Sequence, residues 1–157
     1  MFKRLAVIAV SALVAASFGI PAAFAQTDNA SFTLTVNKTA NYTNQFKTAI
    51  TLSGTYTCSP SDPINSGINI NVSQIQGKGV IVTGGSYLMG PLNCTGSSQT
   101  WTTDVYANFG SGPMGGTPAT WKGGRATANV QGNASYGDCG AGDCIAASVD
   151  QVIHIHH

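Results

Sequence analysis

From Phe32 to Ile155 the chain alternates apolar with polar residues, and this period of two restricts it to strands. Phe32, Leu34 and Val36 alternate, as do Ile50, Leu52, Gly54, Tyr56 and Cys58. Ile68, Ile70 and Val72 follow, then Val80 and Val82. Trp101, Thr103, Val105 and Ala107 continue the pattern, then Ala126, Ala128 and Val130, and last Val149, Gln151, Ile153 and Ile155. Such a run buries one face and wets the other. The runs are rich in Thr, Val, Ile and Tyr, which suit a pleated surface. No stretch after residue 25 carries an apolar stripe at helical spacing.

Turn residues separate the runs. Ser59-Pro60-Ser61-Asp62-Pro63 ends one strand, because proline cannot continue a central ladder. Gly77 and Gly79 flank a tight turn before Val80. Gly110 to Pro118 form a long Gly/Pro loop, and Gly137 to Gly142 a last hairpin tip. About seven strands joined this way predict an all-β, antiparallel sandwich; a closed barrel is the second choice. The terminal strand, Ala147 to Ile155, is expected to pair with Ala126 to Val130, with Asp150, Val152, His154 and His156 facing out.

Residues 1–25 read as a cleaved signal peptide. Lys3 and Arg4 precede an apolar run from Leu5 to Ile20, and Ala23-Phe24-Ala25 is a small-x-small cleavage site. The run is short for a membrane span, which takes about 20 apolar residues. Residues 26–157 then form a single domain, with no transmembrane segment, secreted to the extracellular side. The basic start and Ala-rich run resemble a bacterial export signal.

Only 8% of the chain is charged, against about a quarter in an ordinary domain. Five Lys and Arg remain after residue 25, against six Asp, and there is no Glu. A near-neutral chain of this kind is a poor match for nucleic acid, which needs a clustered basic face. The same balance argues against electrostatic docking on a membrane.

Cys58, Cys94, Cys139 and Cys144 all follow the signal. In an exported chain they read as two disulfides rather than a metal site, since no His lies near either pair in sequence. Three pairings are possible. The Gly-rich GDCGAGDC turn brings Cys139 to Cys144, which leaves Cys58 with Cys94.

The sequence LSGTYTC at 52–58, NCTGSSQTW at 93–101, WKGGRATANV at 121–130 and DCGAGDCIAASVDQVIHI at 138–155 resembles small exported proteins of actinobacteria and related bacteria. The resemblance covers most of residues 26–157. It implies an Ig-like β-sandwich and no agreed activity, so it supplies no catalytic residues. The loop between Cys139 and Cys144 also resembles the last loop of neocarzinostatin-type chromoproteins, although the wide spacing of Cys58 and Cys94 departs from that family.

No catalytic constellation stands out. All three His lie at the C-terminus, and only Asp104 and Asp150 fall within strands. The chain therefore reads as a non-enzyme that needs no cofactor. His154 and His156 are two apart on a strand, with Asp150 on the same face, and could hold Cu²⁺, Ni²⁺ or Zn²⁺. The plain alternative is a polar outer face that happens to carry His. Trp121 and Tyr136 are candidate platforms for a sugar ring, Trp121 because it follows the long Gly/Pro loop; a buried Trp is the commoner arrangement. Trp101 shares its phase with Val105 and reads as core.

The expectation is a secreted, non-catalytic Ig-like module at the cell surface or in the medium, with two disulfides. Its partner would be an extracellular ligand, polysaccharide or protein, met by the sheet faces or the loop from Phe109 to Trp121. Self-association edge to edge is conceivable. The alternative is a small-ligand or metal carrier using a cleft between sheets or the C-terminal His strand.

Overall fold

The computed structural model describes residues 30–108, 119–137 and 144–156. The expected signal at 1–25, most of the expected loop from Phe109 to Trp121, Cys139 and His157 lie outside those residues. Eight strands are found among the described residues: β1 (Ser31–Leu34), β2 (Thr39–Tyr42), β3 (Ala49–Ser59), β4 (Asn65–Gln76), β5 (Val80–Met89), β6 (Gln99–Ala107), β7 (Gly124–Ser135) and β8 (Cys144–His156). A single 3-10 turn, Gly77–Gly79, closes the β4–β5 hairpin.

The strands close into one barrel, not a sandwich of two sheets. Around the circle the order is β3-β2-β8-β7-β4-β5-β6 and back to β3. β1 lies in line with β2 along the same side of β3. Its register runs on past the strand, with the Thr35 N–H donating to Thr55 O and the Asn37 N–H to Ser53 O. Asn41 then pairs with Thr51, so four steps on one chain oppose two on the other. The two-residue excess swings Thr39 to Asn41 out to β8. Because the excess is even, it keeps the side-chain phase. Phe32, Leu34, Val36 and Ala40 all point inward and are buried.

β1 and β2 thus make one stave, and the barrel has seven. Seven strands cannot alternate up and down around a closed circle, so one neighbouring pair must be parallel. That pair is β2 and β8, with Thr39 opposite His154 and Asn41 opposite His156; every other pairing is antiparallel. Alternation reports only that each strand buries one face. It does not say whether two buried faces meet across a gap or one sheet curls onto itself, and the expected sandwich is corrected on this point. The expected pairing of the terminal strand with Ala126 to Val130 is found, with Ala126 opposite Ile153 and Val130 opposite Val149.

The interior is filled. Ile50, Leu52, Ile68, Ile70, Val105, Trp121, Val130 and Ile153 are fully buried. Three inward glycines make room for rings. A Cβ on Gly54 would stand 2.8 Å from the Trp101 ring, one on Gly84 2.6 Å from Trp121, and one on Gly132 2.3 Å from Phe32. Trp101 crosses Gly54 to donate its indole N–H to Thr35 O at 3.2 Å, and Trp121 donates to Val105 O at 3.2 Å. Among the described residues these side chains fill the space that a cleft between two sheets would have left open.

Of the two expected disulfides, one is described. Cys58 and Cys94 are bonded, with Cα atoms 4.7 Å apart, and they tie the end of β3 to the segment that leads into β6. Cys144 is also disulfide-bonded; Cys139 lies outside the described residues. The barrel therefore has a disulfide end, near Cys58, and a hairpin end, where Gly77–Gly79 turns the chain.

Candidate functional site

With the described interior packed by buried side chains, the outer faces of the strands are where polar groups are exposed. The outward half of the alternation on β4 is Asn69, Asn71 and Ser73, and on β7 Thr127, Asn129, Gln131 and Asn133. The registers align these side chains in rows across four strands. One row is Tyr87, Asn69, Gln131 and Ser148; the next is Gly85, Asn71, Asn129 and Asp150. Sequence patterning therefore builds a wall of uncharged amides with one carboxylate.

Hydrogen bonds fix part of this wall. Asn129 Nδ2 donates to Asp150 Oδ1 at 2.7 Å, and Gln131 Nε2 to Asn129 Oδ1 at 3.2 Å. Asn71 Nδ2 donates to Asn69 Oδ1 at 3.2 Å. Each bonded amide keeps free donors or acceptors for a ligand, since one amide has two of each. Tyr87 lies across Gly67, where a Cβ would meet its hydroxyl at 2.5 Å, yet the residue stays 47% exposed. Tyr106, 59% exposed, stands beside Gly85 on the neighbouring strand.

Tyr87, Asn69, Gln131, Gly132, Asn133 and Ala146 line an open depression of about 530 Å³. A second, of about 250 Å³, continues it along the strands past Asn71, Asn129 and Thr127. A third, of about 240 Å³, carries on to Ile75, Arg125 and Val152. Together they form a shallow groove along β4 and β7.

The residues singled out from the sequence are placed differently. Trp121 is 0% exposed. It is held by its N–H to Lys47 O at 2.8 Å and by its indole bond, and plugs the hairpin end. It cannot serve as an exposed sugar platform, because Gly84 opens a socket that takes the ring. Tyr136 is half-buried and donates its hydroxyl to Pro60 O at 2.7 Å; burial raises its phenol above the usual value. Tyr42 is raised by the same cause. His154 and His156 share the outer face, with ring centroids 6.3 Å apart. Asp150 shares that face but sits four residues from His154, about 13 Å along a strand, and bonds Asn129 instead. Arg125 stands directly opposite His154. No group of three or more metal-ligating side chains is found among the described residues. No helix among those residues is long and apolar enough to cross a membrane.

Sequence reasoning missed Tyr87, Asn69, Gln131 and Asn133. The signal was present in the polar half of NSGININVSQIQ and RATANVQGNAS, where amides recur at every second position.

No family model, curated protein or solved structure matches the chain.

Proposed function

We propose that the protein is an exported, non-catalytic binding module that meets a neutral polysaccharide on the outer wall of β5, β4, β7 and β8. The observation that carries this reading is the 530 Å³ depression, where an exposed tyrosine adjoins three uncharged amides. Sugar hydroxyls need paired donors and acceptors, which Asn and Gln supply together. Their C–H faces need a flat apolar surface, which a tyrosine ring offers while its hydroxyl stays wet. A lining with no Lys, Arg or acid at the depression itself suits a ligand without charge. The buried disulfide at Cys58 and Cys94 supports an oxidising compartment and hence export.

The test is retention of residues 26–157 on a panel of insoluble neutral polysaccharides. Tyr87→Ala and Gln131→Ala are each expected to weaken retention about tenfold, while thermal unfolding shifts little because both side chains are exposed. Retention on none of the panel, or retention untouched by both substitutions, sinks the reading.

A further inference from the structure

The near-zero net charge conceals a strong segregation. Every Lys and Arg after residue 25 lies at the hairpin end of the barrel. Lys78 is the tip of the β4–β5 turn. Lys47 accepts the Trp121 N–H through its carbonyl, which sets it beside Lys122. Lys122 is in turn bonded through its N–H to Gln74 Oε1 at 2.9 Å, and Gln74 leads into the same hairpin. Arg125 opens β7 opposite His154, and Lys38 O accepts the His154 N–H at 2.8 Å. Of the three described acids, Asp104 alone shares this end, as a single carboxylate against five cations. Asp62 follows β3 at the disulfide end. Asp150 bonds Asn129, and Asp104 accepts from Thr51 Oγ1 at 2.8 Å and Thr43 Oγ1 at 3.1 Å. Asp28, Asp138 and Asp143 lie outside the described residues.

The same end carries exposed apolar side chains. Phe46 is 70% exposed, Ile75 77%, Ile81 59% and Val80 54%. Ile75 pairs with Ile81 across the hairpin that Lys78 caps, and Phe46 precedes Lys47. Cations interleaved with bare apolar side chains on protruding turns match an anionic lipid surface: the charges meet headgroup phosphates, and the apolar tips enter the acyl boundary. A soluble polyanion would use the charges and leave the four apolar side chains in water.

We infer that the hairpin end is a docking surface for anionic phospholipid headgroups, seating the barrel on a bilayer with its polar wall upright. This is independent of the glycan reading, since the two surfaces share only Ile75 and Arg125 at the far end of the groove. Whole-chain charge balance could not reveal it. The five cations are scattered from residue 38 to 125 in sequence, and only closure of the barrel gathers them.

Residues 26–157, which contain the whole described barrel, would be floated with vesicles of phosphatidylglycerol and phosphatidylcholine, or of phosphatidylcholine alone. Binding is expected only to the anionic vesicles and is expected to fall with salt. Lys78→Gln with Lys122→Gln and Arg125→Gln should weaken it about a hundredfold. Phe46→Ser with Ile81→Ser should weaken it at least tenfold, and Ile64→Ser with Met89→Ser, exposed at the other end, should leave it unchanged. Circular dichroism checks that each variant folds. Equal binding to both vesicle types overturns the inference. So does anionic binding that the Phe46/Ile81 variant retains in full and that heparin competes away, because that pattern belongs to a soluble polyanion.

Discussion

Single inward glycines decide how this barrel fills. Gly54 is paired directly with Trp101, and its missing side chain lets the indole cross to the next stave. A Cβ there would also stand 2.0 Å from Thr35 O, a backbone atom that cannot swing aside. Gly54→Ala is therefore expected to destabilise the fold by about 3 kcal/mol, the upper range for overpacking. Gly85 faces outward on β5, and a Cβ there finds its nearest neighbour at 3.4 Å. Gly85→Ala should change stability by less than about 0.5 kcal/mol. Urea midpoints of the two variants decide it: equal losses would mean that the Trp101 socket is not rigid. These sockets also explain why Trp121 was misread. Its position after a Gly/Pro stretch suggested a loop, whereas the complementary Gly84 lies 37 positions earlier and nothing local connects the two.

At the scale of strands, the all-β character and most strand positions were legible, but the closed barrel was not. The alternating runs fall within observed strands from β3 onward, and Ser59 ends β3 where the proline cluster begins. The hairpin partners β4–β5 and β7–β8 follow from adjacency along the chain. The order around the barrel was not legible, because a period of two names the buried face and not the neighbour. β2 escaped notice as well: Thr39–Tyr42 is four residues with one buried side chain, too short to show a period. Yet β2 makes the parallel closure with β8, and this changes how the terminal histidines should be tested. Deleting residues 154–157 removes the His154 N–H bond to Lys38 O and the buried Ile155. That truncation should cost about 2–5 kcal/mol by loss of core volume alone, visible as a lower thermal midpoint. His154→Ala with His156→Ala spares the backbone and is the proper control for metal. Two imaginable ligands facing Arg125 fall short of the four that zinc takes. Calorimetric titration with Zn²⁺ is expected to give no saturable heat that this double variant lacks; a saturable site lost in the variant would restore the carrier reading.

For the whole molecule, one short part of the closure is the seam between β5 and β6, where the Asn108 N–H to Thr83 O bond at 2.7 Å adds to the strand pairing. It holds only two paired positions, Gly84 with Ala107 and Gly85 with Tyr106, where β4 and β5 share ten. Toward the disulfide end the two strands part, and the Ser86–Thr103 hydroxyl contact at 2.8 Å is one side-chain link across the widening gap. The segment between them is anchored instead to other staves. Leu92 N donates to Ser66 Oγ at 2.6 Å, Asn93 N to the Tyr56 hydroxyl at 3.1 Å, and Gly96 N to Cys58 O at 3.0 Å. The Cys58–Cys94 bond fastens this segment covalently across a sequence separation of 36. Its loop-closure entropy is worth about 4 kcal/mol. Cys58→Ala with Cys94→Ala should therefore lower the thermal midpoint by roughly 10–15 °C for a chain of this size, while the strand signature in circular dichroism persists. Hydrogen exchange gives the sharper readout. Amides of Leu92, Asn93 and Gly96 should lose protection first, while those of Ile70 and Val130 in β4 and β7 keep theirs until global unfolding. If protection instead falls evenly around the barrel, the bond acts only on the unfolded chain and the open seam is not the local point of failure.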